Sequence, residues 1–219
     1  MLFVLKAFSH RIAALVLIVA AATSCQTAGG DSDPPIVQPG APGQATRVIS
    51  AETAVDLSRL RHTAADVRFM QGMIGHHAQA IEMVALLRSR TTREDMRLLA
   101  RRIELSQEDE IALMQRWLQV RGEEAPDAHA HHAPGAALMP GMLTREEMGR
   151  LEAATGGEFD RLFLELMVKH HEGALVMVRQ LFSTPGAGQE SDIFAFATDV
   201  DADQRIEIAR MSAMMMELH

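Results

Sequence analysis

Two adjacent histidines, His76 and His77, stand among methionines in the stretch FMQGMIGHHAQAIEMVALL, and a near copy, FLELMVKHHEGALVMVRQL, sets His170 and His171 in the same surroundings. Each pair has one methionine three residues before it, Met73 or Met167, and another six or seven residues after it, Met83 or Met177. Imidazole with thioether is a donor set for copper, sulfur favouring the cuprous state, and for silver by the same softness; carboxylate-rich sites would favour harder ions. A thioether has no proton to lose, so it keeps binding at acidity where imidazole weakens. Read singly, a histidine on an apolar face is a hydrogen-bonded core residue and a methionine a core filler. The duplication turns the balance toward a metal site, with a structural His–Glu/Gln network as the alternative.

Such groups need rigid elements to aim them, and the chain is written in helix grammar throughout. Thr63 to Asp66, Thr91 to Glu94 and Thr144 to Glu147 each have the form of a capping box. Gly122 marks one helix end, and Pro185-Gly186 another. The pattern predicts long helices near 63–90, 92–120, 158–182 and 190–217, with shorter ones near 51–61 and 144–155. At about 100° per residue, His77 falls inside an apolar arc with Phe69, Met73, Ala80, Val84 and Leu87, and His76 lies at its edge beside Met83. Gln71, Gly75, Ala78 and Glu82 take the opposite side. In the second copy, Glu165, Lys169 and Glu172 face water while His171 sits in the stripe.

The repeat extends into the following helices. The histidine helices match at an offset of 94 (Asp160 against Asp66), and the next pair matches at 97, Gln107, Glu110, Ile111 and Met114 against Gln204, Glu207, Ile208 and Met211. The stripe Met96, Leu99, Ile103, Gln107, Glu110, Met114, Trp117 is apolar with a polar middle. Burying Glu110 alone would cost several kcal/mol, so it needs a partner; Glu110 and Glu207 fit best as groups that orient imidazoles through their ring N–H. Counting outward from the hairpin turns puts Gln107 level with the first histidine pair and Glu110 level with Met73, and likewise Gln204 with His170 and Glu207 with Met167.

Two similar hairpins, neither able to cover its own stripe, bury it against each other, which predicts a four-helix bundle with a pseudo-two-fold axis. Repeat one spans 51–121, the linker 122–143 and repeat two 144–219. The linker, expected to be mobile, holds His129, His131 and His132, either an auxiliary metal-capturing tract or a solvated loop. The tail adds Met211, Met214, Met215 and Met216, and Met215 and Met216 cannot both face a core.

The formal charge of −8 and the absence of clustered Lys and Arg exclude a nucleic-acid partner. Residues 1–24 read as a signal peptide, with Lys6 and Arg11 before an apolar run from Ala13 to Ala22 that is too short to span a bilayer comfortably. Cys25, the one cysteine, resembles a lipoprotein processing site, though Ala22 stands where leucine is usual. Residues 25–50, rich in Gly and Pro, read as a flexible tether. The chain is thus expected outside the cytoplasm, periplasmic or membrane-anchored, with no internal disulfide.

The doubled motif, Asp66-x-x-Phe69-x-x-x-Met73-Ile74-x-His76-His77-x-x-Ala80-x-x-Met83 and its copy from Asp160, resembles the bacterial domain-of-unknown-function 305 family. The resemblance runs over roughly 52–219. It implies an exported ferritin-like bundle, with some members similar to periplasmic copper-binding proteins that contribute to copper tolerance. The chain lacks the Glu-x-x-His pairs of di-iron ferritin-like enzymes and offers Gln-x-x-Glu instead.

The reading that results is an all-α, extracytoplasmic metal-binding protein that sequesters, buffers or delivers copper, as Cu(I) or else Cu(II) or silver, with no organic cofactor and no assigned catalysis. Its expected ligands are His76, His77, His170 and His171 with Met73, Met83, Met167 and Met177, supported by Glu110 and Glu207. The rivals are a ferritin-like metal oxidase and an adaptor bundle with structural histidines.

Overall fold

The computed structural model describes residues 34–40, 44–55, 61–133 and 137–218, with the side chain of His131 excepted. The stretch expected to be a signal peptide and Cys25 lie outside them. The chain divides into two units, 1–34 and 35–219, and the second holds every element named below.

A short antiparallel ribbon comes first, β1 (Ile36–Gln38) with β2 (Arg47–Ile49), Val37 opposite Val48. This gives part of the segment read as a flexible tether a paired backbone. Helices follow: α1 (Ala51–Val55), α2 (Ala64–Arg90), α3 (Glu94–Val120), α4 (Arg145–Ala153), α5 (Gly156–Ser183) and α6 (Ser191–Met216), with one 3-10 turn, Ala130–His132, between α3 and α4. The fold is all-α, as the pattern predicts.

The caps show why the helices start where they do. Thr63 and Thr144 each complete a reciprocal capping box, with Asp66 and Glu147. The third expected box is absent: Thr91 is the C-cap of α2, its N–H bonded to Leu87 O, and α3 begins after Arg93 with no side-chain cap. The turn is so short that Thr91 is still closing one helix and cannot open the next. Its hydroxyl instead accepts from the Arg93 N–H at 3.1 Å.

Helices α2 and α3 pack as one hairpin, α5 and α6 as a second, and α2 packs against α5 to join them. The hairpins also meet at their ends. Asp66 accepts from the Gly188 N–H at 2.7 Å, and Trp117 donates to Glu190 at 3.1 Å while Arg121 lies over the indole and pairs with Glu190.

Two apolar clusters fill the interior. One gathers Phe69, Met73, Met114, Trp117, Met177, Leu181, Ile193 and Val200; the other gathers Ala80, Met83, Leu87, Met96, Ile103, Phe163, Met167 and Met211. Burying each large side chain contributes about 1.5–3 kcal/mol, so the apolar parts of the stripes supply the drive for assembly. What neither cluster contains is the polar middle of the four long helices.

Candidate metal centre

All four histidines of the doubled motif are buried, at 0–1% exposure, and Glu110, Glu207, Gln107 and Gln204 are buried too, at 1–8%. The sequence places them inward because each helix must turn its apolar stripe to its neighbours, and the histidines are part of that stripe. Rings from different repeats meet. His76 and His170 have centroids 3.8 Å apart, while His77 and His171 stand 6.1 and 6.3 Å from their chain neighbours.

Three of the rings are fixed by one nitrogen each. His77 Nε2 lies 2.5 Å from Glu110 Oε2, His171 Nε2 lies 2.6 Å from Glu207 Oε2, and His76 Nε2 lies 3.0 Å from the Pro140 carbonyl. A carbonyl or carboxylate oxygen accepts, so in each contact the Nε2–H donates and Nδ1 is the nitrogen left facing the interior. Among the described residues those three buried Nδ1 atoms have no hydrogen-bond partner, and neither has either nitrogen of His170. Buried polar atoms are normally satisfied. Here several in one place are not, and a neutral imidazole has one lone pair to give to a cation.

The register differs by about a turn from the count along the helices, since Glu110 bonds His77 and does not stand level with Met73 alone. Side chains on a helix lean toward its N-terminus. In an antiparallel pair His77 and Glu110 therefore lean toward one another, and the same geometry brings Glu207 to His171.

Burial holds the His76 imidazole down to about 3, helped by neighbouring His77 and, more weakly, His171, against the raising effect of its bond to Pro140. Burial likewise holds His170 well below the ordinary histidine range, with His76 and His171 adding to it. Both rings stay neutral, which is the ligating form. Asp203 is pushed up by burial and by the negative charge of Glu110 and Glu207; two carboxylates thus stand ready to offset an added positive charge. Arg102 lies 3.9 Å from the other oxygen of Glu207.

The methionines flank this polar layer symmetrically. Met73 and Met177 belong to the apolar cluster on one side, Met83 and Met167 to the cluster on the other, so each side receives one from each repeat. Met114 and Met211, a matched pair not among the expected ligands, fall one to each side as well. Their equivalence in the repeat was the available signal. Gln107 and Gln204 also carry buried unpartnered amide atoms.

The end of the linker is built into the site, against the expectation that it is mobile. Gln79 bonds Leu143 in both directions, its amide N–H to the carbonyl at 3.0 Å and its oxygen from the N–H at 2.6 Å. Gly141 lies against Gly173, where a Cβ on Gly173 would come within 2.0 Å of the Pro140 oxygen. Ala78, expected on the side opposite the apolar arc, is buried as well. Nothing in residues 139–143 has a helical or strand period, so the sequence held no sign of this contact.

The profile of the family described as Domain of unknown function (DUF305) matches residues 66–215. Among solved structures, a DUF305 fragment from Deinococcus radiodurans is 29% identical, covers 71% of this chain and 98% of its own, and superposes with a TM-score of 0.61. A DUF305 protein from Streptomyces coelicolor, described as a candidate secreted protein, is 28% identical over 70% of this chain and 93% of its own, TM-score 0.61. CopM in its Cu(I)-bound form is 26% identical over 70% of this chain and 97% of its own, TM-score 0.56, and CopM is also known in Cu(II)-bound and Ag-bound forms. No curated protein matches the chain.

Proposed function

The chain belongs to the DUF305 family, and from that membership and the geometry of its interior we propose that it binds copper, chiefly Cu(I), in the cell envelope and holds it there for buffering, sequestration or delivery. The observation that carries this reading is the row of buried imidazoles with unpartnered Nδ1 atoms. Copper and silver complexes of the similar protein CopM support the choice of metal.

On this reading His76, His77, His170 and His171 supply nitrogen to the ion. Glu110, Glu207 and the Pro140 carbonyl hold the Nε2–H groups and so fix the tautomer and aim the lone pairs, which is how groups beyond the ligands tune a metal site. Met73, Met83, Met167 and Met177 add soft sulfur from both sides. Because the imidazoles of His76 and His170 are already neutral, they have no proton to surrender on binding. The chain only holds the ion; no residue is assigned a catalytic step. Export through the signal peptide and a lipid on Cys25 belong to the same proposal.

The test is anaerobic titration of the untagged chain with Cu(I) against a chromophoric chelator. Replacing His76, His77, His170 and His171 together by alanine is expected to abolish competition while circular dichroism still reports helix. A folded quadruple variant with unchanged affinity overturns the site, and copper-dependent oxygen consumption would point to the oxidase reading instead.

A further inference from the structure

We propose that Glu82, His129 and His132 form a second cation site, on the surface, suited to a divalent first-row metal. The three residues come from α2 and from the 3-10 turn of the linker. His129 Nδ1 lies 3.0 Å and His132 Nε2 lies 2.8 Å from the same oxygen of Glu82. One donor atom from each falls within 4.8 Å of the others, and tetrahedral Zn–N bonds of about 2.0–2.1 Å call for donors roughly 3.3 Å apart.

The local backbone makes this arrangement. In a 3-10 turn, residues i and i+3 eclipse, and the His132 N–H bonds the His129 carbonyl at 3.0 Å. The two rings are accordingly stacked, 6.0 Å apart and 14° from parallel. Asp127 pins the start of the turn by accepting from the His129 N–H at 2.7 Å. On α2, Glu82 lies off the apolar stripe and directs its carboxylate at the linker, so both imidazoles meet it.

The chemistry differs from that of the interior. Two imidazoles and a carboxylate, with no thioether, form a borderline-to-hard set that prefers divalent ions, Cu(II) most tightly in the first-row order. Both histidine side chains are more than half exposed, 66% and 59%, so water can complete the coordination. A neutral imidazole need only move its proton to the outer ring nitrogen to offer the inner lone pair. The bound ion would tie the linker to α2.

The test uses the metal-free full-length chain titrated with Cu(II) and followed by electron paramagnetic resonance. The native chain is expected to show a Cu(II) signal with nitrogen coupling that H129A/H132A lacks, and E82Q is expected to weaken Cu(II) binding about 10–100-fold. Amide exchange over residues 127–133 should slow on adding Zn(II) in the native chain and not in H129A/H132A. Identical Cu(II) stoichiometry and spectra for the native chain and H129A/H132A would overturn the site. Cu(I) competition by H129A/H132A is expected to equal that of the native chain, which separates failure here from failure of the buried copper site.

Discussion

The imidazoles of His76 and His170 lie 3.8 Å apart, ring centre to ring centre, although they belong to different repeats. Burial holds both below the ordinary histidine range, so the contact brings together two neutral imidazoles, each with one N–H and one lone pair. That pairing is the meeting point of the two hairpins.

The carboxylates behind the outer imidazoles should matter for affinity more than for fold. E110Q and E207Q keep size and an acceptor but remove charge. Each is expected to lower Cu(I) affinity about 10–100-fold. E110A, which leaves the buried His77 N–H unpartnered, should additionally cost about 1–3 kcal/mol of stability. Chelator competition and denaturant unfolding separate the two effects.

Core filling and thioether donation make opposite forecasts for M73L/M177L. Leucine for methionine conserves volume and costs less than about 1.5 kcal/mol, so a protein using these side chains only as packing would bind metal as before. With sulfur as donor, Cu(I) and Ag(I) binding should fall by roughly tenfold or more, about 1.4 kcal/mol.

At Gly173 a methyl group has no room, because the Pro140 oxygen would lie 2.0 Å from it. G173A should lift the linker from His76, with a loss of about 1–3 kcal/mol and faster amide exchange at 141–143. G149A is the control. Gly149 has open space around its Cβ position, and alanine there should stabilise its helix by up to about 1 kcal/mol.

Acid should weaken the metal-free fold in a defined window. His76 and His170 have folded-state values below that of an unfolded histidine, near 6.5. For His76 the unfolded chain binds more protons between about pH 6.5 and 3, so stability rises with pH across that interval, and His170 acts in the same direction. Going from pH 7 to 5 should cost about 2 kcal/mol for His76. Urea unfolding at both pH values, with H76A and H170A showing shallower dependence, checks this.

How much of this the sequence disclosed varies by element. Helix positions were legible because capping and apolar period act locally; α2, α3, α5 and α6 fall within a few residues of expectation. The inward aim of the four histidines follows from the same period. Thr91 misled because its local pattern fits either the end of one helix or the start of another, and the turn length decides. The His77–Glu110 register needed side-chain lean as well as residue count. Pro140, Gln79 and the Gly141–Gly173 contact were invisible, since a carbonyl reaching an imidazole across the chain leaves no pattern in residue types.

The end of the linker meets α2 at His76 and Gln79, and with it comes an inequality between halves that otherwise match. His76 has its Nε2 tied to the Pro140 carbonyl, whereas the equivalent His170 has no such tie to the linker among the described residues. On the copper reading, an ion reaching the interior meets one imidazole anchored through Nε2 and an equivalent one that is not, so the two repeats are unequal ligands.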